Sequence, residues 1–131
     1  MEHSNAAAYR RTADAFRARD SETLAQLIAD DVIWHVPGDS PLAGDIGGIE
    51  ELFRWFERLH QVTKGTFGLR EHDVLANDDH VVALSDMSSE RAGRRISVNV
   101  VSVMHFRDGR QLERWFHPSD PAAWDALLGG A

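Results

Sequence analysis

The sequence predicts an α+β fold, a curved antiparallel sheet wrapped over three N-terminal helices and enclosing a pocket. Three observations predict it. Apolar residues recur at helical spacing in the first half of the chain, at Tyr9, Thr12, Ala13 and Phe16 and again at Ile49, Leu52, Phe53, Phe56 and Leu59. After Lys64–Gly65 the pattern changes to long strand-like runs. Those runs are divided by turn pairs such as Ala92–Gly93 and Asp108–Gly109, and Asp-Gly between apolar runs is a strong hairpin signal.

Taken in order, the first helix runs from about Ser4 to Ala18, with Tyr9, Thr12, Ala13 and Phe16 on one face. Asp20 caps a second, short helix carrying Leu24, Leu27 and Ile28, which the Asp30–Asp31 pair ends. Val32 to Val36 reads as a strand closed by Pro37–Gly38. Gly47–Gly48 opens the third helix, whose apolar face has the cleanest 3.6-residue period in the chain. Four strands follow, at Thr66–Leu75, His80–Glu90, Arg95–Phe106 and Gln111–His117, with Asn77–Asp78–Asp79 as the first turn between them. Asp120–Pro121 begins a final short helix bearing Trp124, Leu127 and Leu128. The order is therefore ααβαββββα. Consecutive hairpins make an antiparallel meander. The meander needs a cover on one face, and the three helices before it supply one, leaving a natural cavity between the layers.

Length and composition bound the function. A chain of 131 residues with 43% apolar side chains is most simply one globular domain, 1–131, with a real core. Its net charge of -7 argues against a nucleic-acid partner, which calls for a basic face. No apolar run approaches the roughly 20 residues of a membrane helix, and the N-terminal MEHSNAAAYRR lacks a secretory leader's apolar stretch. No membrane association is expected, and a cytoplasmic location is the default. Without cysteine, disulfides and thiolate metal sites are excluded. None of the seven histidines shows an HxH or HxxxH spacing, and neither a GxGxxG loop nor a GxSxG elbow occurs. No metal and no cofactor are expected.

The element order, together with ADDVIW, PLAGDIGGIEELFRWF and the terminal GRQLERW, resembles the nuclear transport factor 2-like superfamily. Within it the chain is most similar to the SnoaL-like group, relatives of polyketide cyclases and ketosteroid isomerases, over roughly residues 6 to 128. The resemblance implies a cone with a deep pocket, frequent homodimers, and members ranging from isomerases, cyclases and dehydratases to non-enzymatic binders. Fold alone does not choose among them. The isomerase itself uses an Asp base with a Tyr and a protonated Asp as its oxyanion hole. By similarity, Val36 stands at the base position, Ser102 at the protonated acid, and Thr12 roughly at the tyrosine, with Tyr9 one turn earlier. Valine cannot accept a proton, so steroid isomerisation by that mechanism is not expected.

The resemblance also turns Leu112, Arg114 and Phe116 inward, and Glu113, Trp115 and His117 outward. If Ser102 faces the cavity, alternation places Val98, Val100 and Met104 there too. His35 titrates near neutrality and is the candidate acid or base if it reaches the cavity; otherwise it is a histidine bonded to a neighbouring loop. Arg114, the second candidate catalytic residue, clamps a carboxylate or enolate if it points inward and is a solvated charge if it points outward. Tyr9 and Ser102 are candidate donors to a ligand carbonyl, or internally satisfied hydroxyls. Trp34, Met104 and Phe116 are candidate apolar walls, and Asp86 reads as an edge or solvent-facing residue. The expected partner is a small apolar organic ligand, acted on by cofactor-free isomerase, cyclase or dehydratase chemistry. The alternative is a non-catalytic binding or dimerising module on the same scaffold.

Overall fold

Helix-period segments and turn pairs become the expected elements, in the expected order, with one short strand added. The structure, a computed structural model, describes residues 1–130 and contains helices α1 (Ser4–Arg17) and α2 (Ser21–Leu27), strands β1 (Ile28–Val36) and β2 (Gly44–Gly47), and helix α3 (Ile49–Thr63). Strands β3 (Gly68–Ala76), β4 (His80–Arg91), β5 (Arg94–Arg107) and β6 (Arg110–Pro118) and helix α4 (Pro121–Leu127) complete it. The caps are the ones their residue types call for. Asp20 accepts from the Thr23 N–H and Asp120 from the Ala123 N–H, each satisfying a free donor of a first helical turn. Ala92–Gly93 and Asp108–Gly109 have φ of 51°, 76°, 54° and 75°, the mirror-type turns whose twist suits two-residue hairpins.

The six strands form one sheet in the order β2-β1-β6-β5-β4-β3. Every neighbouring pair is antiparallel except β1 and β6, which run parallel, so the first long strand closes on the last. Two boundaries differ from the sequence reading. Gly44–Gly47, assigned no strand from the sequence, pairs with β1. Ile28, read as the end of the second helix, starts β1 and pairs with Gln111. A fully buried β-branched residue beside an open strand partner outweighs one further turn of a seven-residue helix.

Irregularities at His72 in β3 and Leu112 in β6 insert one residue each, and such bulges bend a sheet. The Leu112 bulge also changes which residues point inward. Phe106 pairs with Gln111 while His105 pairs with Glu113, so Gln111, not Leu112, is the buried residue at that position. Beyond it Arg114 and Phe116 face inward with Val98, Val100, Ser102 and Met104.

The helices pack on this inner face. One apolar cluster joins Trp34, Val36, Leu52, Trp55, Phe116 and Trp124, and a second joins Tyr9, Ala13, Val81 and Met104. Trp55 and Trp124 need no outside cover, because both are buried and their indole N–H groups donate to the Leu42 and Pro37 carbonyls. Among the described residues no helix is long and apolar enough to cross a membrane.

A buried arginine at an apolar chamber

The concave side of the sheet and the three helices α1, α2 and α3 leave a chamber of about 40 Å³. Its lining comes from all these layers: Tyr9, Ala13 and Phe16 from α1, Trp55 and Phe56 from α3, and Trp34, Arg114 and Phe116 from the sheet. A wider cleft of about 630 Å³ lies beside it, lined by Arg17, Arg19, Phe53, Glu57, His60 and Gly68 among others. Phe16, Leu24, Phe56, Leu59, Phe67 and Leu69 border both spaces. Phe16 stands edge-on to Phe56 and Phe67, with ring centroids 5.3 and 5.9 Å apart. These rings separate chamber from cleft.

Among the described residues Arg114 is the one charged residue lining the chamber, and it is only 4% exposed. The bulge and the strand register put it there: it pairs with Met104 on β5 and lies beside Trp34 on β1, all on the inner face. Its Nη2 donates to Ser102 Oγ at 3.0 Å and, at a long 3.5 Å, to the Tyr9 hydroxyl. Its guanidinium carbon sits 4.6 Å from the Phe116 ring centre, 4.9 Å from Trp34 and 5.6 Å from Tyr9. Aromatic faces attract a cation electrostatically, and more strongly where water is excluded. No carboxylate pairs with it among the described residues. Its Nε is buried without a hydrogen-bond partner.

Two further polar atoms on the same inner face, Gln111 Nε2 and Ser85 Oγ, are also buried and unpaired. Gln111 Oε1 accepts from the Trp34 indole at 2.6 Å and so fixes the ring that lies against Arg114. Thr12 spends its hydroxyl on the Ala8 carbonyl.

His35 lies on the other side. Adjacent strand residues point to opposite faces, so with Trp34 inward His35 must face out. Its Nε2 meets Glu113 Oε2 at 2.6 Å and its Nδ1 meets Asp45 Oδ1 at 2.9 Å. Its ring stacks on Trp115. The bond to Glu113, reinforced by Asp45, raises its pKa above the ordinary 6.5. The expectation that His35 reaches the cavity is therefore corrected: the sheet separates it from Arg114.

Of the other expected residues, Tyr9, Trp34, Arg114 and Phe116 line one chamber. Ser102 stands one bond behind it, as an acceptor for Arg114. Met104 is fully buried in the second apolar cluster and does not line the chamber. Val36 is buried among apolar side chains. Asp86 faces outward and bonds Arg70 at 2.9 Å. Gln111 was not legible as a site residue, because only the bulge turns it inward. No cluster of three or more potential metal-ligating side chains occurs among the described residues.

A curved sheet closed over by helices around an apolar chamber defines the nuclear transport factor 2-like class. Within that class this chain belongs to the SnoaL-like domain family, whose sequence profile matches residues 9–114. It is similar to Bal32a from a soil-derived mobile gene cassette, with 36% identity over 95% of this chain and 96% of that one, and a TM-score of 0.89. It is also similar to a protein of unknown function with a cystatin-like fold from Xanthomonas campestris, 26% identical over 98% and 99% of the two chains, with a TM-score of 0.88. TerC, a protein crystallised with polyporic acid, shares the fold at 22% identity over 96% of this chain and 98% of its own, with a TM-score of 0.84. No curated protein matches the chain.

Proposed function

We propose that this protein binds a small, largely apolar organic molecule, with an oxygen of that molecule seated on Arg114. One observation carries the reading. A guanidinium is held at the wall of an apolar chamber without a carboxylate partner and with its Nε unpaired. Buried charges are normally paired, and a buried orphan donor calls for an explanation. A ligand oxygen supplies one. Apolar walls with a few convergent polar groups are the general form of small-molecule sites.

Thermal unfolding of the full chain with 4-phenyl-2-butanone, an apolar ketone with a slender acyl end, tests this. The Tm is expected to rise with ligand concentration in the wild type. It should stay flat in Ala13→Leu, which fills the chamber. A flat wild-type profile overturns the reading.

A second reading, cofactor-free isomerase or cyclase, is favoured by the same arginine together with the Tyr9 hydroxyl. When a proton leaves the carbon beside a carbonyl for water, the electron pair moves onto the carbonyl oxygen. A preorganised guanidinium stabilises that oxyanion. No carboxylate or imidazole lines the chamber among the described residues, so the proton's acceptor is solvent. Proton NMR in D2O decides between the readings. Arg114-dependent loss of the ketone's α-proton signals identifies an enzyme, and binding without exchange identifies a binder.

We also assign a second copy of the chain to the outer sheet face, where Ile33 and Val101 are exposed beside Trp115. Sedimentation of the wild type against Val101→Glu tests it, with the variant expected as monomer. A monomeric wild type removes the assignment.

A further inference from the structure

The chamber and its arginine also constrain the charge and shape of what they bind. The chamber's volume of about 40 Å³ equals roughly three waters, at 10–15 Å³ each. That is room for a head group of about three heavy atoms and too little for a ring. The adjoining cleft of about 630 Å³ is large enough for an apolar body. The two spaces meet at the Phe16, Phe56 and Phe67 rings, so a molecule occupying both is narrow in the middle.

Charge separates the ends. The cleft's own arginines are already neutralised: Arg17 by Asp14 and Glu71 at 2.7 and 3.1 Å, and Arg19 by Glu57 at 2.8 Å. Of the arginines lining the two spaces, Arg114, deep in the chamber, is the one that lacks a counter-charge among the described residues. Aromatic faces on Tyr9, Trp34 and Phe116 attract the cation but leave its Nε–H unpaired. A neutral carbonyl fills one hydrogen-bonding direction and leaves the charge uncompensated. A carboxylate satisfies both hydrogen bonding and charge, and its planar pair of oxygens matches the guanidinium fork.

We propose that the ligand of this site is a slender apolar monocarboxylate of the arylalkanoate type, its carboxylate on Arg114 and its ring in the outer cleft. The proposal rests on the binding reading above and names the ligand's class. It assigns the positions of charge along the ligand: negative at the deep end, none in the middle.

Isothermal titration of the full chain at pH 8 with 3-phenylpropionate and its neutral isostere 3-phenylpropanamide tests it. The acid is expected to bind the wild type at least tenfold more tightly than the amide. In Arg114→Gln that advantage should disappear, the acid binding no more tightly than the amide. Arg114→Lys, which keeps the charge and loses the fork, should fall between them. An amide that binds the wild type as well as the acid overturns the proposal, and so does an acid preference that survives Arg114→Gln. The wild-type comparison stands even if a variant fails to fold. Binding of 4-phenyl-2-butanone and the amide without the acid refutes the carboxylate alone. Binding of none of the three refutes the ligand site itself.

Discussion

Replacing Arg114 by methionine separates a site kept for a ligand from an ordinary piece of core. In the free protein the guanidinium's contributions nearly cancel. Three aromatic contacts at 4.6, 4.9 and 5.6 Å contribute about 3–6 kcal/mol together, taking about 1–2 kcal/mol for each desolvated pair. The bond to Ser102 adds about 1.5–3 kcal/mol. Against these stands the cost of removing the charge from water with no anion beside it, several kcal/mol. Methionine has similar reach, keeps sulfur–aromatic contacts of about 0.3–1.5 kcal/mol each, and carries no charge to desolvate. It strands Ser102 Oγ, which costs about 1–3 kcal/mol, so the informative variant is Arg114→Met with Ser102→Ala. That double variant is expected to be as stable as wild type or more so, by about 0–3 kcal/mol. At this chain length the gain corresponds to a Tm rise of up to about 10 °C. Urea unfolding followed by circular dichroism measures it. A loss of more than about 2 kcal/mol refutes the reasoning, because Arg114 would then be holding the core together in the absence of ligand.

Other outcomes follow from particular contacts. His35 has its pKa raised by Glu113 and Asp45, so its stabilising effect is complete below 6.5 and fades as pH rises through the raised value. Thermal scans should show wild-type Tm falling over that rise by more than in His35→Gln, and parallel profiles contradict the pairing. Gln111→Leu leaves the Trp34 indole N–H unpaired and should cost about 1–3 kcal/mol in denaturant unfolding, with blurred near-ultraviolet dichroism from the freed indole. An unchanged spectrum removes Gln111 as the residue that positions Trp34. Gly38→Ala places a Cβ 2.1 Å from Asp125 Oδ1 at a φ of +99°. It should cost about 2 kcal/mol or more, since strain and clash add, and a neutral result in urea contradicts the described loop.

What the sequence reveals divides along the range of the interactions. Helices were legible because their signals are local: Asp20 and Asp120 cap, and the Ile49–Leu59 face repeats every 3.6 residues. The hairpins were legible because Asp108–Gly109 and Ala92–Gly93 accept positive φ. The strand Gly44–Gly47 was not, since its glycines read as turn and only β1 gives it a partner. The site was half legible for the same reason. Alternation assigns Trp34 and His35 to opposite faces, but nothing local says which faces in. That is decided by the parallel pairing of β1 with β6, which sets Trp34 beside Arg114 from the far end of the chain. The same pairing delivers Glu113 to His35 and Trp34 to Arg114. The bulge at Leu112, which exchanges Leu112 for Gln111 in the interior, has no turn residue to announce it.

The central claim is that the Arg114 guanidinium receives a ligand's oxygens inside the chamber. Nitrogen-resolved proton NMR of the Arg114 Nε–H, titrated with 3-phenylpropionate, tests it most directly. The account predicts a single downfield-moving Nε–H signal that saturates together with perturbation of the Trp34 and Trp55 indole signals. A stationary Nε–H resonance, with shifts confined to residues of the outer sheet face, contradicts it.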